Sequence, residues 1–251
     1  MKRKIATIIA LLFAITIISI NSSDEFRYKF RCYVMSDYNS CLKNAKNGKN
    51  IKATQKLCDL GNEVACFNMG IYSQFEIKDL NKSIMYYKLA CDKNYSDACV
   101  NLAEIYATSF NNTARAFKLF KKGCDNGNSL SCQNLAICYL TGTGTARDIN
   151  KSIKYFNISC KNNMSVSCSK LANIYFSDEF GLLDYKKAYN LYDKSCSLDN
   201  QNFLACVLKG FMLYEGLGTD ENKKLGLEIL NDLCDKGAKD SCLMLKNIND
   251  K

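Results

Sequence analysis

The sequence predicts an all-α fold, a right-handed solenoid of helix-turn-helix repeats stapled by disulfides. Three observations carry that prediction. Cysteines with seven residues between them recur at Cys58/Cys66, Cys91/Cys99, Cys124/Cys132, Cys160/Cys168 and Cys234/Cys242, and Cys196/Cys206 is the same element with two extra residues. The first cysteines of successive pairs stand 33, 33, 36, 36 and 38 residues apart, and a fixed period of this size marks stacked two-helix units. Between the cysteines, helix-start residues, helix-stop residues and apolar periodicity recur in step.

The N-terminus reads as an export signal over residues 1–22. Lys2-Arg3-Lys4 is a basic opening, the run Ile5 to Ile20 is largely apolar, and Asn21-Ser22-Ser23-Asp24-Glu25 is polar. The run is short for a membrane span of ~20 residues. An uncleaved N-terminal anchor is the alternative, since no Ala-x-Ala precedes Asp24. Removing this segment takes three cations with it, so the formal charge falls from +9 to +6. That mild lysine excess shows no basic cluster with interleaved aromatics, so no nucleic-acid partner is expected. Residues 23–57 form an N-terminal cap region that half matches the repeat, and Cys32 and Cys41 in it form a provisional seventh pair.

Residues 58–242 hold five to six repeats, each a helix A, a loop, a helix B and a tight turn. Helix A is expected to begin at the second cysteine of a pair. Met69-Gly70, Leu102-Ala103, Leu135-Ala136 and Leu171-Ala172 follow it, a large residue beside a small one that lets a neighbouring helix approach. Tyr106, Tyr139 and Tyr175 extend the stripe. Helix B is expected to start at Asp79, Asn112, Asp148, Asp184 and Asn222, side chains that accept from orphan amides. It is expected to close at Gly61, Asn94, Gly127, Asn163 and Gly237, residue types that tolerate the left-handed region. Its packing face is read as Ile84/Tyr87/Leu89, Ala116/Leu119/Phe120, Ile153/Tyr155/Phe156 and Ala188/Leu191/Tyr192. The A-to-B loops set the unit length, and the longer ones carry Gly142-Thr143-Gly144-Thr145 or Gly216-Leu217-Gly218-Thr219. A phosphate-cradling loop needs Lys-Ser/Thr after its last glycine, whereas Ala146-Arg147-Asp148 follows Thr145, so these are linkers. A polar helix at 243–251 is the C-terminal cap.

Fifteen cysteines in 251 residues are too many for a reduced cytosolic chain without metal. One cysteine in the last turn of helix B and one at the start of helix A can face each other across the turn. Each bridge would close a loop of about nine residues, somewhat under the ~3 kcal/mol of a fifteen-residue loop. Zinc is the competing explanation; its usual spacings are tighter and export argues against it. Cys138 is left over, at a position where Ile105 and Ile174 stand in other units, and reads as a small buried side chain. No histidine occurs, which removes Ser-His-Asp, Cys-His and His-zinc chemistry.

Taken together, Cys-Asp-x-Gly turns at Cys58, Cys124 and Cys234, the Leu-Ala pairs, the Gly-x-Gly-Thr loops and the Asp-x-x-Lys starts at Asp79, Asp148, Asp184 and Asp220 resemble the Sel1-like repeat family, a relative of tetratricopeptide repeats. More narrowly they resemble the Helicobacter cysteine-rich proteins. The resemblance runs from about Ala53 to Cys242, and departs from the pattern at Cys196/Cys206, Lys209-Gly210 and Cys138. It implies either weak β-lactamase or penicillin-binding activity, or a secreted protein acting through interactions.

The enzyme reading finds Ser40-x-x-Lys43 and Ser167-x-x-Lys170, both enclosing a cysteine expected to be bridged, and lacks the Ser-Asp-Asn and Lys-Thr-Gly elements. No catalytic residue, metal or cofactor is therefore assigned. The binding reading places a peptide, protein or peptidoglycan fragment on a concave face lined by helix A. Asn68, Asn101 and Asn134 recur two residues after the second cysteine, where amides can bond an extended backbone, and Lys170 and Leu208 interrupt the series. Glu104, Asn173, Tyr106 and Tyr175 join that surface. The expectation is a secreted or periplasmic monomer with no stable membrane association once the signal is removed.

Overall fold

The computed structural model describes residues 50–199 and 203–250, together with Cys32. The expected signal segment, most of the N-terminal cap region and Cys41 lie outside the described residues. Cys32 is fully buried and disulfide-bonded. The described residues form helices and turns with no strand. The chain divides into two compact units, Met1–Ile105 and Tyr106–Lys251. The first contains α1 (Ile51–Asp59), α2 (Glu63–Phe75), α3 (Leu80–Asp92) and most of α4 (Ser96–Thr108). The second contains α5 (Thr113–Asp125), α6 (Ser129–Thr141), α7 (Ile149–Lys161), α8 (Ser165–Phe176), a 3-10 turn (Asp178–Phe180), α9 (Tyr185–Leu198), α10 (Phe203–Glu215), α11 (Lys223–Asp235) and α12 (Lys239–Asn249). Even-numbered helices are helix A of a repeat and odd-numbered ones helix B.

Each helix B starts as its sequence dictates. Asp79, Asn112, Asp148, Asp184 and Asn222 each accept a hydrogen bond from the amide three residues on. At the other end Gly61, Asn94, Gly127, Asn163 and Gly237 all have positive φ, and the amides of the following residues return to carbonyls of the last turn. Helix A begins earlier than expected. The second cysteine sits in its first turn, three residues after the start, because Asn62 and Asn128 cap α2 and α6 from further upstream. α8 and α12 start without any side-chain cap.

The turn from helix B to helix A is closed by disulfides at Cys58–Cys66, Cys91–Cys99, Cys124–Cys132, Cys160–Cys168, Cys196–Cys206 and Cys234–Cys242, with Cα atoms 4.6 to 4.9 Å apart. The cysteines that zinc would have needed are spent in these bridges.

Small residues set the distance between helices A and B. Ala103, Ala136 and Ala172 are fully buried, and a Cβ added at Gly70 would stand 2.5 Å from the Tyr87 ring. Gly210 fills the same slot in α10, where a Cβ would press on Ile229 and Leu230, so the repeat register is kept despite the departure from Leu-Ala. Lys209 beside it, in the leucine slot, reaches Asp193 at 2.6 Å. The second glycine of each Gly-x-Gly-Thr loop meets backbone. A Cβ at Gly144 would stand 2.3 Å from the Thr113 carbonyl oxygen, and one at Gly218 2.2 Å from that of Tyr185. These loops thus seat on the first residue of the preceding helix B, a packing role with no phosphate in it. One expected core residue is misplaced. Leu89 is exposed, and α3 instead buries Ser83, Tyr86, Tyr87, Ala90 and Cys91. In the second unit Phe156 and Tyr192 anchor the cores of adjacent repeats, each burying enough apolar area for roughly 1.5–3 kcal/mol.

Candidate functional site

Two buried tyrosines connect the core to polar side chains of helix A. They occupy the same repeat position, four residues before the first cysteine of a pair, where Phe120 and Phe156 stand in other repeats. In the first unit the ring of Tyr87 is 0% exposed, and its hydroxyl donates to Gln74 Oε1 of α2 at 2.9 Å, with Asn101 of α4 beside it. Burial, with Glu104 nearby, keeps the phenol protonated beyond its ordinary range. Burial also raises the carboxyl of Glu104 itself. In the second unit the hydroxyl of Tyr192 donates to Asn173 Oδ1 of α8 at 2.6 Å, and burial pushes its pKa far up. The Asn173 side chain is exposed, and its amide NH2 is a donor that this bond leaves unused.

Asn173 lines a cleft of about 560 Å3 together with Lys170 and Ser177 of α8, Arg147 of the loop before α7, and Glu179 and Phe180 of the 3-10 turn. Arg147 is held on three sides. Its Nε donates to the Leu140 carbonyl at 3.0 Å, its Nη2 pairs with Glu179 Oε1 at 3.1 Å, and the guanidinium lies 5.1 Å from the centre of the Phe180 ring. The cleft therefore offers two cations, one anion and an oriented amide.

The residues expected at a site fall into separate groups. Asn101 and Glu104 gather around Tyr87, and Asn173 joins Lys170 in the cleft. Asn68 on α2 and Asn134 on α6 are half-buried. Tyr106 and Tyr175 present less ring than expected, because Arg115 and Lys187 lie over them at 5.0 and 5.1 Å. Ser167 is 0% exposed, with its hydroxyl in hydrogen-bond contact with Gln133 and with Ser159 Oγ at 3.0 and 2.8 Å, while Lys170 one turn on is exposed. That serine is closed to solvent. Ser40 and Lys43 lie outside the described residues. Cys138 is buried and unbridged, and burial raises its thiol, which disfavours the reactive thiolate. Sequence reasoning missed Arg147, Glu179 and the hydroxyl of Tyr192; the signal for the last was a tyrosine where two other repeats carry phenylalanine.

The Sel1 repeat matches this sequence over residues 63–95, 96–128, 129–164, 165–200 and 201–237, each stretch running from a helix A to the turn after helix B. The chain belongs to the Sel1 repeat family. Among curated proteins no sequence matches it. Among solved structures, this Sel1 repeat protein is similar to a protective antigen of uropathogenic Escherichia coli strains, at 17% identity and a TM-score of 0.77, over 88% of this chain and 50% of that one. It is likewise similar to a Sel1 repeat protein from Oxalobacter formigenes, at 17% identity and a TM-score of 0.68, over 89% of this chain and 63% of the other. Cysteine-rich protein B of Helicobacter pylori also matches, at 23% identity over 68% of this chain and 98% of its own, with a TM-score of 0.23. The chain spans half to under two thirds of the length of the first two relatives, and what the likeness establishes is the fold.

Proposed function

We propose that this Sel1 repeat protein is an exported binding scaffold that takes a peptide, a protein or a cell-wall fragment on the helix A surface of its repeats, as a monomer. Stacked helical repeats offer extended surfaces suited to binding a partner. The observation that carries the reading is the pair of buried tyrosines. Tyr87 and Tyr192 spend a hydroxyl to orient side-chain amides of helix A, where phenylalanine serves the core equally well in the other repeats. Oriented amides suit recognition of a peptide backbone, which offers donors and acceptors in alternation. Export is supported by the basic-then-apolar N-terminus and by six bridges that need an oxidising compartment, so the place of action is the periplasm or the outside of the cell. Among the described residues, no helix is long and apolar enough to cross a membrane. β-Lactam hydrolysis, which the family resemblance implies, finds no support in Ser167.

The test is binding of the oxidised protein to immobilised peptides and to soluble peptidoglycan fragments, with β-lactam turnover measured on the same preparation. Saturable binding that drops at least tenfold in Asn101→Ala/Asn173→Ala is expected. Turnover above a matched blank, with no binding to any probe, would overturn the proposal.

A further inference from the structure

We infer that the cleft between α6 and α8 receives an acidic side chain of a bound peptide, with Lys170 and Arg147 as its counter-charges and Asn173 as a hydrogen-bond donor. The inference rests on the peptide-binding reading above and names the chemistry of one subsite. Four observations support it.

The first is donor supply. A guanidinium carries five N–H groups, and Arg147 uses its Nε on Leu140 and its Nη2 on Glu179, leaving further N–H groups at the cleft. Lys170 stands three residues before Asn173 on α8, hence on the same helix face, and among the described residues no carboxylate pairs with it. The second is orientation. Tyr192 engages the oxygen of the Asn173 amide, which lines the cleft, so the group Asn173 has left to offer a ligand is its NH2 donor. The third is an internal stand-in. Glu179 already places a carboxylate on Arg147 at 3.1 Å, and both partners are more than half exposed, at 53% and 64%. Such a pair is screened and exchanges readily, so a ligand carboxylate can take the place of Glu179. The fourth is the wall. Phe180 and Ile174 line the cleft and give the methylene stem of a glutamate an apolar surface beside the cations.

The arrangement differs from a general attraction between a basic protein and acidic matter, because one charge in the cleft works against it. Removing the negative charge at Glu179 should tighten binding, and removing the positive charge at Lys170 should weaken it.

The experiment is a titration of the oxidised, isotope-labelled protein, followed through amide resonances including the side-chain NH2 of Asn173. Three probes of equal length are used: an end-blocked Ala-Ala-Glu-Ala-Ala peptide, its Gln analogue, and an all-alanine peptide with a free C-terminal carboxylate. Expected are saturable shifts at Asn173, Ser177 and the Arg147 loop with the Glu peptide, and at least tenfold weaker binding of the Gln peptide. Lys170→Gln should lose at least fivefold and Glu179→Gln should gain. Both variants change exposed side chains and must first reproduce the unliganded spectrum of the parent outside the cleft; Lys170→Met replaces Lys170→Gln if that variant fails to fold. Equal binding of the Glu and Gln peptides would overturn the acidic-side-chain inference while leaving peptide binding standing. Shifts with the free C-terminus alone would overturn it in favour of a terminal carboxylate. No shift with any peptide would overturn the inference and count against the peptide-binding reading itself.

Discussion

The hydroxyl of Tyr192 lies 2.6 Å from Oδ1 of Asn173, tying the buried side of α9 to an exposed amide on α8. The ring and the hydroxyl do separable jobs, since Phe120 and Phe156 fill the same repeat position without a hydroxyl. Tyr192→Phe should therefore keep the fold and cost about 1 kcal/mol, the usual net worth of one hydrogen bond. Urea denaturation checks this. A midpoint shift with unchanged slope is the expected result, because the surface exposed on unfolding is the same.

The glycines of one loop should respond unequally to alanine. At Gly144 a Cβ would stand 2.3 Å from the Thr113 carbonyl oxygen, whereas at Gly142 its nearest neighbour is 3.5 Å away, and both have positive φ. Gly142→Ala then carries the left-handed penalty alone, roughly 1–2 kcal/mol. Gly144→Ala adds a backbone clash and should lose clearly more, by about 3 kcal/mol or above. Thermal unfolding of the two variants side by side gives the ranking. Equal losses would mean that the loop does not seat on α5.

Cys138 is buried and bridged to nothing. Cys138→Val replaces one small apolar side chain with another and should change stability by less than ~1.5 kcal/mol. Titration with a thiol reagent should find no reactive thiol in the native protein and one on denaturation without reductant; the variant should lose that one.

Removing one bridge isolates the worth of a staple. Cys160→Ala/Cys168→Ala opens a loop of about nine residues and should cost about 2.5 kcal/mol in the chain-entropy account. Because the Cys168 side is fully buried, cavity formation adds to this, so denaturant midpoints should fall by at least that amount.

The aspartate caps predict an acid dependence. The backbone amide of Lys151, and then its ammonium, hold the Asp148 carboxyl below its ordinary value, and Lys187 does the same for Asp184. A carboxyl depressed in the folded state stabilises above its unfolded pKa of ~3.9, and that contribution fades as pH falls through the lower folded value. Asp148→Asn/Asp184→Asn keeps the hydrogen-bonding cap and removes the charge. Thermal midpoints of parent and variant should differ at pH 7, and the difference should shrink as pH falls below the unfolded value of ~3.9.

Much of the fold was legible because its determinants are local. A cap accepts from an amide three residues away, a closing residue needs only its own φ, and a bridge across a tight turn has a fixed spacing, so Asp148, Asn163 and Cys160/Cys168 could be placed from spacing alone. The start of helix A was less legible because its cap varies from Asn62 and Asn128 to Met164 and Ala238, two of which make no side-chain bond. The site was legible residue by residue and not as an assembly. From the sequence Asn173 is a surface amide and Tyr192 a core residue, while the bond between them spans 19 residues and depends on how two helices pack. Arg147 belongs to a linker in the sequence, and nothing in Ala146-Arg147-Asp148 reveals that Glu179, 32 residues on, lies at 3.1 Å.

The central claim is that buried tyrosines orient helix A amides for binding. It is tested most directly by peptide binding to Tyr87→Phe/Tyr192→Phe beside the parent, both fully oxidised. The account predicts an intact helical spectrum, a modest fall in stability and a loss of at least tenfold in peptide affinity. A double variant that binds the same peptides as tightly as the parent would contradict it.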